Sequence, residues 1–441
     1  MLLGPVAAFV VASLLVAWVR PPQRAAAMWA VIAISLLSVA GATLLAETKA
    51  VHLVHSGLSG QALVMLGVLG TGGIVAGAGL AGFSGRRPGA FVVLVALAVS
   101  AMLATDIRLI NSVFDRDLLL YLRAGSAMLH GLPVYTDVVL SQAPADPTLL
   151  PFVYPPVTLP FLAGLSVLPR PIVELLWLVL AVGASVAALR CFGVRRRWIP
   201  VLLIWPPFVQ GIWAGNANTL LLLLFALAPF APSLLVLAPV VKLQLGATAL
   251  WLPRERRWQA LARGLAAVAL LVLATLPIVG LGSWWDWLRG LAAFSQTAAK
   301  FPSLEALALT RQFGLAIAVL FAAALIALAM VRRGRDSLAT LGLASLAVSP
   351  TLYIHGLTPG LPSLLRLRGA GFWFLLAVTS TFIRQGDWWL LVAIVAVAPL
   401  IPVLVDDDQA DAAVHPIGPG LRPWPVNPFR PAPGADPAAS A

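Results

Sequence analysis

An all-α polytopic membrane protein is the fold class this sequence predicts, and three observations predict it. Of its 441 residues 60% are hydrophobic and 10% charged, against about a quarter charged in a soluble chain. Apolar stretches close to the ~20 residues needed to cross a bilayer recur along the chain. Those stretches are continuous, whereas a transmembrane β-barrel needs alternating apolar and polar positions. The net charge of +12 sits mostly as short arginine clusters between apolar runs. It therefore reads as topology, by the positive-inside rule, rather than as a nucleic-acid surface. A single cysteine, Cys191, excludes an intramolecular disulfide.

Four spans come first, near 2–19, 27–46, 62–84 and 89–105. The first resembles a secretory signal in part, but lacks a basic flank and is too long, so it reads as a retained helix. Arg20 and Arg24 follow the first span, and Arg86 and Arg87 follow the third. Both links are expected on the cytoplasmic side, which puts a first loop, residues 106–154, outside. Apolar runs follow near 155–169, 172–191, 199–213, 218–231 and 233–252, several broken by Pro, Gly or Asn. Further runs lie near 260–280, 309–331, 338–352, 357–367, 370–383 and 388–405, for 12 to 14 segments in all. "RERRW" at 254–258 and "RRGR" at 332–335 fit cytoplasmic links, and 281–305 forms a second external segment. "RRR" at 195–197 breaks simple alternation unless half-membrane helices lie between 155 and 252. The reading is thus additional helices over 1–88, a membrane core over 89–405, and a disordered cytoplasmic tail over 406–441.

Charge gathers at "FDRDLLLYLRAGSAMLHGLPVYT", residues 114–136. The spacing predicts a helix over 115–130, ended by Gly131 and Pro133. Leu118, Leu122 and Leu129 share a face suited to lipid, with Leu119 beside it; Asp117 and Tyr121 share another, facing inward. One reading is local: Asp115 caps the helix and Asp117 favours its positive end. The other is chemical, with Asp117 as a reacting group and Asp115 or Asp106 as rivals. Lys242 lies inside "LLVLAPVVKLQLGATALWL", where a bare cation costs roughly 2.5–3.5 kcal/mol. It either serves a function there or snorkels to the surface. Trp284, Trp285 and Trp287 suit either an interfacial belt or stacking on a ligand. The five histidines are scattered and the loop acids lack ligand spacing, so no metal site is expected.

"DLLLYLRAGSAMLHGLPVYT", followed by "FVYPPVTLPFLAGLSVLP" at 152–169, resembles glycosyltransferase family 87. Asp117, Tyr121, Gly131, Tyr135, Tyr154, Pro155 and Pro156 match its pattern in order. "GNANTLLLLLFALA" with the later "APVVKLQL", and "SPTLYIHG", resemble further segments of the family. Asn216 stands where the family often has Gln, Gln244 where it often has Pro, and Gly356 after His355 where an aromatic or second His is usual. These departures bear on the acceptor more than on the reaction class.

The resemblance implies a GT-C type fold and inverting transfer of a sugar, mannose being the best-known, from a polyprenyl-phosphate donor. The acceptor would be a hydroxyl of an envelope glycolipid or glycan at the outer face of a bacterial plasma membrane. No cofactor is implied, and no Gly-rich phosphate loop is present to bind a nucleotide. It implies Asp117 as general base, with a pKa raised by partial burial. It implies Lys242, His355 and Arg123 around the donor phosphate, and Tyr121, Tyr135, Tyr154, Asn216 and Asn218 around the substrates. The rival class is a transporter or flippase of lipid-linked substrates, which also uses broken helices and buried charge.

Overall fold

The computed structural model describes residues 114–135, 152–298, 308–349 and 352–367, with scattered positions between 95 and 106 and between 371 and 396. The expected helices over 1–88 and the tail over 406–441 lie outside the described residues. Among the described residues every regular element is helical, as the composition predicts. They fall into two units, one holding 95–106, 204–206 and 363–396, the other holding 114–203 and 207–362. The larger unit carries all the chemistry described below except Asp106.

It opens with α1 (Arg116–Leu129), the helix predicted in the first loop. Gly131 follows at φ 65°, the left-handed stop that a glycine allows. Asp115 occupies the N-cap position but its side chain makes no capping bond. The buried face is Asp117, Leu118, Tyr121, Ala124 and Gly125. Asp117 and Tyr121 thus point inward as expected, but Leu118 does too, fully buried rather than in lipid. The reason is a neighbouring helix: α2 (Leu159–Ser166) packs on this face beneath a 3-10 turn at Pro156–Thr158. The contact is close enough that a Cβ on Gly125 falls 2.3 Å from the Leu162 carbonyl oxygen. Gly125→Ala is therefore expected to destabilise the fold by about 1–3 kcal/mol, the usual range for overpacking. A lowered melting temperature in detergent, against an unchanged Gly164→Ala control whose Cβ meets nothing within 4 Å, checks this.

α2 spans only 8 residues, so the apolar run 155–169 is not a crossing. α3 (Arg170–Cys191) is 22 residues long, roughly 33 Å at 1.5 Å per residue, and is long and apolar enough to cross. Val173 and Trp177 near its start pack with Tyr121 and Phe152, so α3 leaves from the α1 end and delivers Arg195–Arg197 to the far end. The short α2 is of the half-length kind that the "RRR" cluster called for between 155 and 252. The next stretch is built of short pieces: α4 (Ile199–Leu203), α5 (Pro206–Trp213), α6 (Asn218–Leu227), α7 (Leu234–Val241), α8 (Gly246–Ala249) and α9 (Trp251–Arg254). Proline and glycine interrupt these runs, which is why whole spans were not readable there.

α10 (Trp258–Ala298) runs from the opposite end back toward α1, breaking at Gly280 with φ 72°. Its part beyond the break carries Trp287, whose indole donates to the Val153 carbonyl at 3.0 Å. The expected second external segment is therefore helical up to residue 298, and Trp287 is a structural anchor for the strand of chain bearing Tyr154. Trp285 is exposed. α11 (Leu309–Val331) returns, and α12 (Gly334–Ala347) follows it inward. Glu255 accepts the Gly334 amide at 2.8 Å, and Trp251 donates to the Gly334 carbonyl at 2.7 Å. The two basic links, 254–258 and 332–335, thus meet at one end, the end away from α1.

Three described helices are long and apolar enough to cross a membrane: Arg170–Cys191, Trp258–Ala292 and Phe313–Val331. Leu265, Leu270, Leu273, Leu315 and Leu320 on them are exposed, a surface stable only against hydrocarbon. α12 is the opposite case, buried at every residue from Ser337 to Ala347. Its small residues permit this: a Cβ on Gly342 falls 2.3 Å from the Pro359 carbonyl oxygen. That contact seats the 3-10 segment Ile354–Gly360, which carries His355. α13 (Leu361–Leu364) closes the described run.

Candidate active site

The site forms where the start of α1, the α5–α6 turn, the end of α7 and the Ile354–Gly360 segment converge. The Asp115 amide donates to the Trp213 carbonyl and the Asp117 amide to the Ala214 carbonyl, both at 2.8 Å. These bonds hold the α1 start against the turn at Gly215, whose φ is 67°. A Cβ on Gly215 falls 2.7 Å from the Leu118 Cβ and 3.1 Å from Asp115 Oδ1. Only glycine satisfies both the backbone angle and the approach.

Asn216 follows and is the hub. Its Nδ2 donates to Asp117 Oδ2 at 2.6 Å. Its Oδ1 accepts from the Asn218 amide at 3.0 Å and from Lys242 Nζ at 3.3 Å. Because a backbone N–H can only donate, the amide orientation is fixed: oxygen toward Asn218 and Lys242, nitrogen toward the carboxylate. On the other side Arg116 Nε donates to Asp117 Oδ1 at 2.9 Å. His355 Nε2 lies 4.0 Å from Asp117 Oδ2. Tyr121 and Tyr154 share a hydroxyl–hydroxyl bond of 2.7 Å, and Tyr135 donates to the Tyr154 carbonyl at 2.9 Å. Lys242 Nζ stands 5.9 Å from the centre of the Tyr154 ring. Beside Lys242 a small cavity opens between Asn218, Gln244, Ser349 and Thr358. Asn218 Nδ2 and Thr358 Oγ1 are buried and have no hydrogen-bond partner among the described residues.

Burial alone pushes the Asp117 carboxyl up, but the Arg116 guanidinium first, and then the Asn216 bond, draw it down, and the group is held below its ordinary value of 3.8. This corrects the expected upward shift: the sequence shows a carboxylate near a membrane, but not the guanidinium and amide that fold onto it. Asp115 goes the other way, up to about 6, through burial and then Glu174, with Arg170 opposing. Burial lowers the His355 pKa to about 3 and holds the ring neutral, with Asp117 opposing and Lys242 and Arg116 adding to the effect.

Of the residues predicted from the sequence, the fold gathers Asp117, Asn216, Lys242, His355, Tyr121 and Tyr154 into one cluster, with Tyr135 behind it. Asn218 contributes its amide and a wall of the cavity. Arg123 is not among them. It is exposed, six positions along α1 from Asp117 and so on another face; the guanidinium at the carboxylate belongs to Arg116. Asp115 is buried against Gly215, with Oδ2 unpartnered among the described residues, and Asp106 falls in the other unit. Gln210, which sequence reading passed over, bonds His355. Its one signal was a polar side chain in the apolar run 199–213. Among the described residues no group of three or more His, Cys, Asp or Glu could hold a metal ion.

The fold and the site together define an all-α membrane protein with a buried carboxylate set among cations and tyrosines. Residues 152–354 match the sequence model of glycosyltransferase family 87, which bears out the resemblance in the motifs and indicates a membrane glycosyltransferase. The match takes in Tyr154, Asn216, Asn218 and Lys242; Asp117 precedes it and His355 follows it by one residue. No curated protein and no solved structure matches the chain.

Proposed function

We propose that this protein transfers a sugar, mannose first among the choices, from a polyprenyl-phosphate donor to a hydroxyl of an envelope glycolipid or glycan. The observation that carries the reading is the charge count at Asp117. One carboxylate, two cations (Arg116 and Lys242) and a neutral His355 leave one positive charge over. A sugar on a polyprenyl phosphate is a phosphodiester with one negative charge, which balances it. The unpartnered donors of Asn218 and Thr358 beside Lys242 suit its oxygens. A deprotonated Asp117 suits the second requirement, a base for the incoming hydroxyl. As the new bond to the anomeric carbon forms on the face opposite the phosphate, that carbon's bond to phosphate oxygen breaks. The electron pair leaves with the phosphate and the hydroxyl proton passes to Asp117, giving inversion. Metal and cofactor have no part in this reading.

The site lies at the end of the long helices opposite the two basic links. By the positive-inside rule that end faces outward from a bacterial plasma membrane. The test supplies purified protein in nanodiscs with radiolabelled polyprenyl-phosphate-mannose and an envelope lipid extract. Label appearing in a new glycolipid is the expected result. Movement of intact donor between leaflets without transfer would replace the reading with a flippase.

The pH profile separates the candidate bases. With Asp117 as base, kcat/KM stays level from about pH 7 to about pH 5, because the ionised form is lost only as pH falls through a folded pKa below the ordinary value of 3.8. With Asp115 as base the rate would instead fall away below about 6.

A further inference from the structure

Gln210 meets His355 twice through a single oxygen. The His355 backbone amide donates to Gln210 Oε1 at 2.8 Å, and His355 Nδ1 lies 3.1 Å from the same oxygen. The amide contact fixes the orientation of the carboxamide, since that N–H has no acceptor character. An oxygen placed this way selects a proton on Nδ1, so the neutral ring keeps its lone pair on Nε2. Nε2 is the nitrogen 4.0 Å from Asp117 Oδ2. The ring plane is held by Tyr353, stacked at 5.6 Å and 12°.

The alternative tautomer has a clear cost. A proton on Nε2 would be aimed at Asp117 Oδ2, 4.0 Å away, which already accepts from Asn216, and Nε2 could no longer accept from a hydroxyl. At 4.0 Å that N–H would not yet hydrogen-bond the carboxylate, but it would face Oδ2 as a competing donor, beside the bonds Asp117 already accepts from Arg116 and Asn216. We infer that Gln210 is a positioning residue that keeps the ring proton of His355 on Nδ1, leaving Nε2 and Asp117 as two acceptors facing one incoming hydroxyl. His355 then serves the acceptor side of the reaction rather than the donor phosphate, which a bare nitrogen lone pair cannot bind. The catalytic half of this inference rests on the function proposed above; the tautomer itself does not.

The charged and titratable groups around the ring are Asp117 and Arg116 from α1, Lys242 after α7, and Tyr353 on its own segment. Among the described residues the hydrogen-bond partner of Nδ1 is Gln210 Oε1. The experiment uses full-length protein in nanodiscs with 15N-labelled histidine, the His355→Gln variant assigning the signal. Wild type is expected to show a protonated Nδ1 and a bare Nε2. Gln210→Met removes the acceptor, and the proton is expected to move to Nε2, with kcat falling at least about tenfold and KM changing by less than about twofold. Gln210→Glu keeps an acceptor but adds a negative charge beside the ring, which favours imidazolium. Its transfer rate is expected to gain an acid limb near neutrality that wild type lacks, a change that loosened packing does not produce. This variant carries the test if Gln210→Met does not fold.

A proton on Nε2 in wild type, or a Gln210→Met variant with unchanged nitrogen signals, overturns the inference. So does an unaltered pH profile in Gln210→Glu. Expected nitrogen signals with no sugar transfer by any form would leave the tautomer standing and remove the proposed function instead.

Discussion

Asp117→Asn is expected to reduce sugar transfer by a factor on the order of 10²–10⁴, the usual contribution of a positioned base. The substitution keeps size and shape and can still accept from Asn216 or Arg116, but it cannot take a proton. It also removes the counter-charge of Arg116 and Lys242, so folding must be checked beside activity, by size-exclusion profile and melting temperature. The stability effect has a definite sign. A carboxyl whose folded pKa is depressed stabilises the fold above its unfolded value and loses that contribution as pH falls through the folded one. Wild type should therefore lose more stability than Asp117→Asn below about pH 4. Equal transfer by the two proteins would sink the assignment and turn attention to Asp115 or Asp106.

Gly215→Ala is expected to destabilise the protein and remove transfer together. The residue's φ of 67° costs a side chain about 1–2 kcal/mol. The Leu118 Cβ, 2.7 Å from the added carbon, must also give way. Leu118 is one residue from Asp117 and Gly215 one residue from Asn216, so the displacement falls directly on the 2.6 Å bond between them. The combined loss should reach about 2–5 kcal/mol once overpacking is added. Gly131→Ala is the matched control. Its φ is 65°, but a Cβ there meets nothing within 4 Å. It should cost only the backbone share and leave transfer intact. A Gly215→Ala protein as active as Gly131→Ala would mean that the turn does not position Asn216 for the reaction.

Much of the site was legible as separate pieces. Asp117 and Tyr121 four residues apart announced one helix face, and Lys242 was conspicuous because a lone cation in an apolar run is costly. Their assembly was not legible. Asp117 and Asn216 are 99 positions apart, and Gln210 and His355 are 145 apart. Arg123 shows the limit of local reasoning. It stands beside the right helix in the sequence, but a helix turns 100° per residue, and Arg116 rather than Arg123 shares the site with Asp117. The reading of 155–169 as a span failed for a related reason. Apolar composition marks burial, and burial against α1 looks the same in a sequence as burial in lipid.

What the sequence by itself determined is the solvent: runs of apolar residues with little charge admit only helices in a membrane, because backbone groups there must be paired within their own segment. It also determined which residues were out of place in that solvent. The tertiary structure decided what those residues became. It folded Arg116 and Asn216 onto Asp117 and so held its carboxyl down where burial alone would have raised it. It set Gln210 against His355 and chose which nitrogen carries the proton. Protonation and hydrogen-bond direction depend on which groups lie within about 3 Å of one another, and in this chain those groups come from distant parts of the sequence.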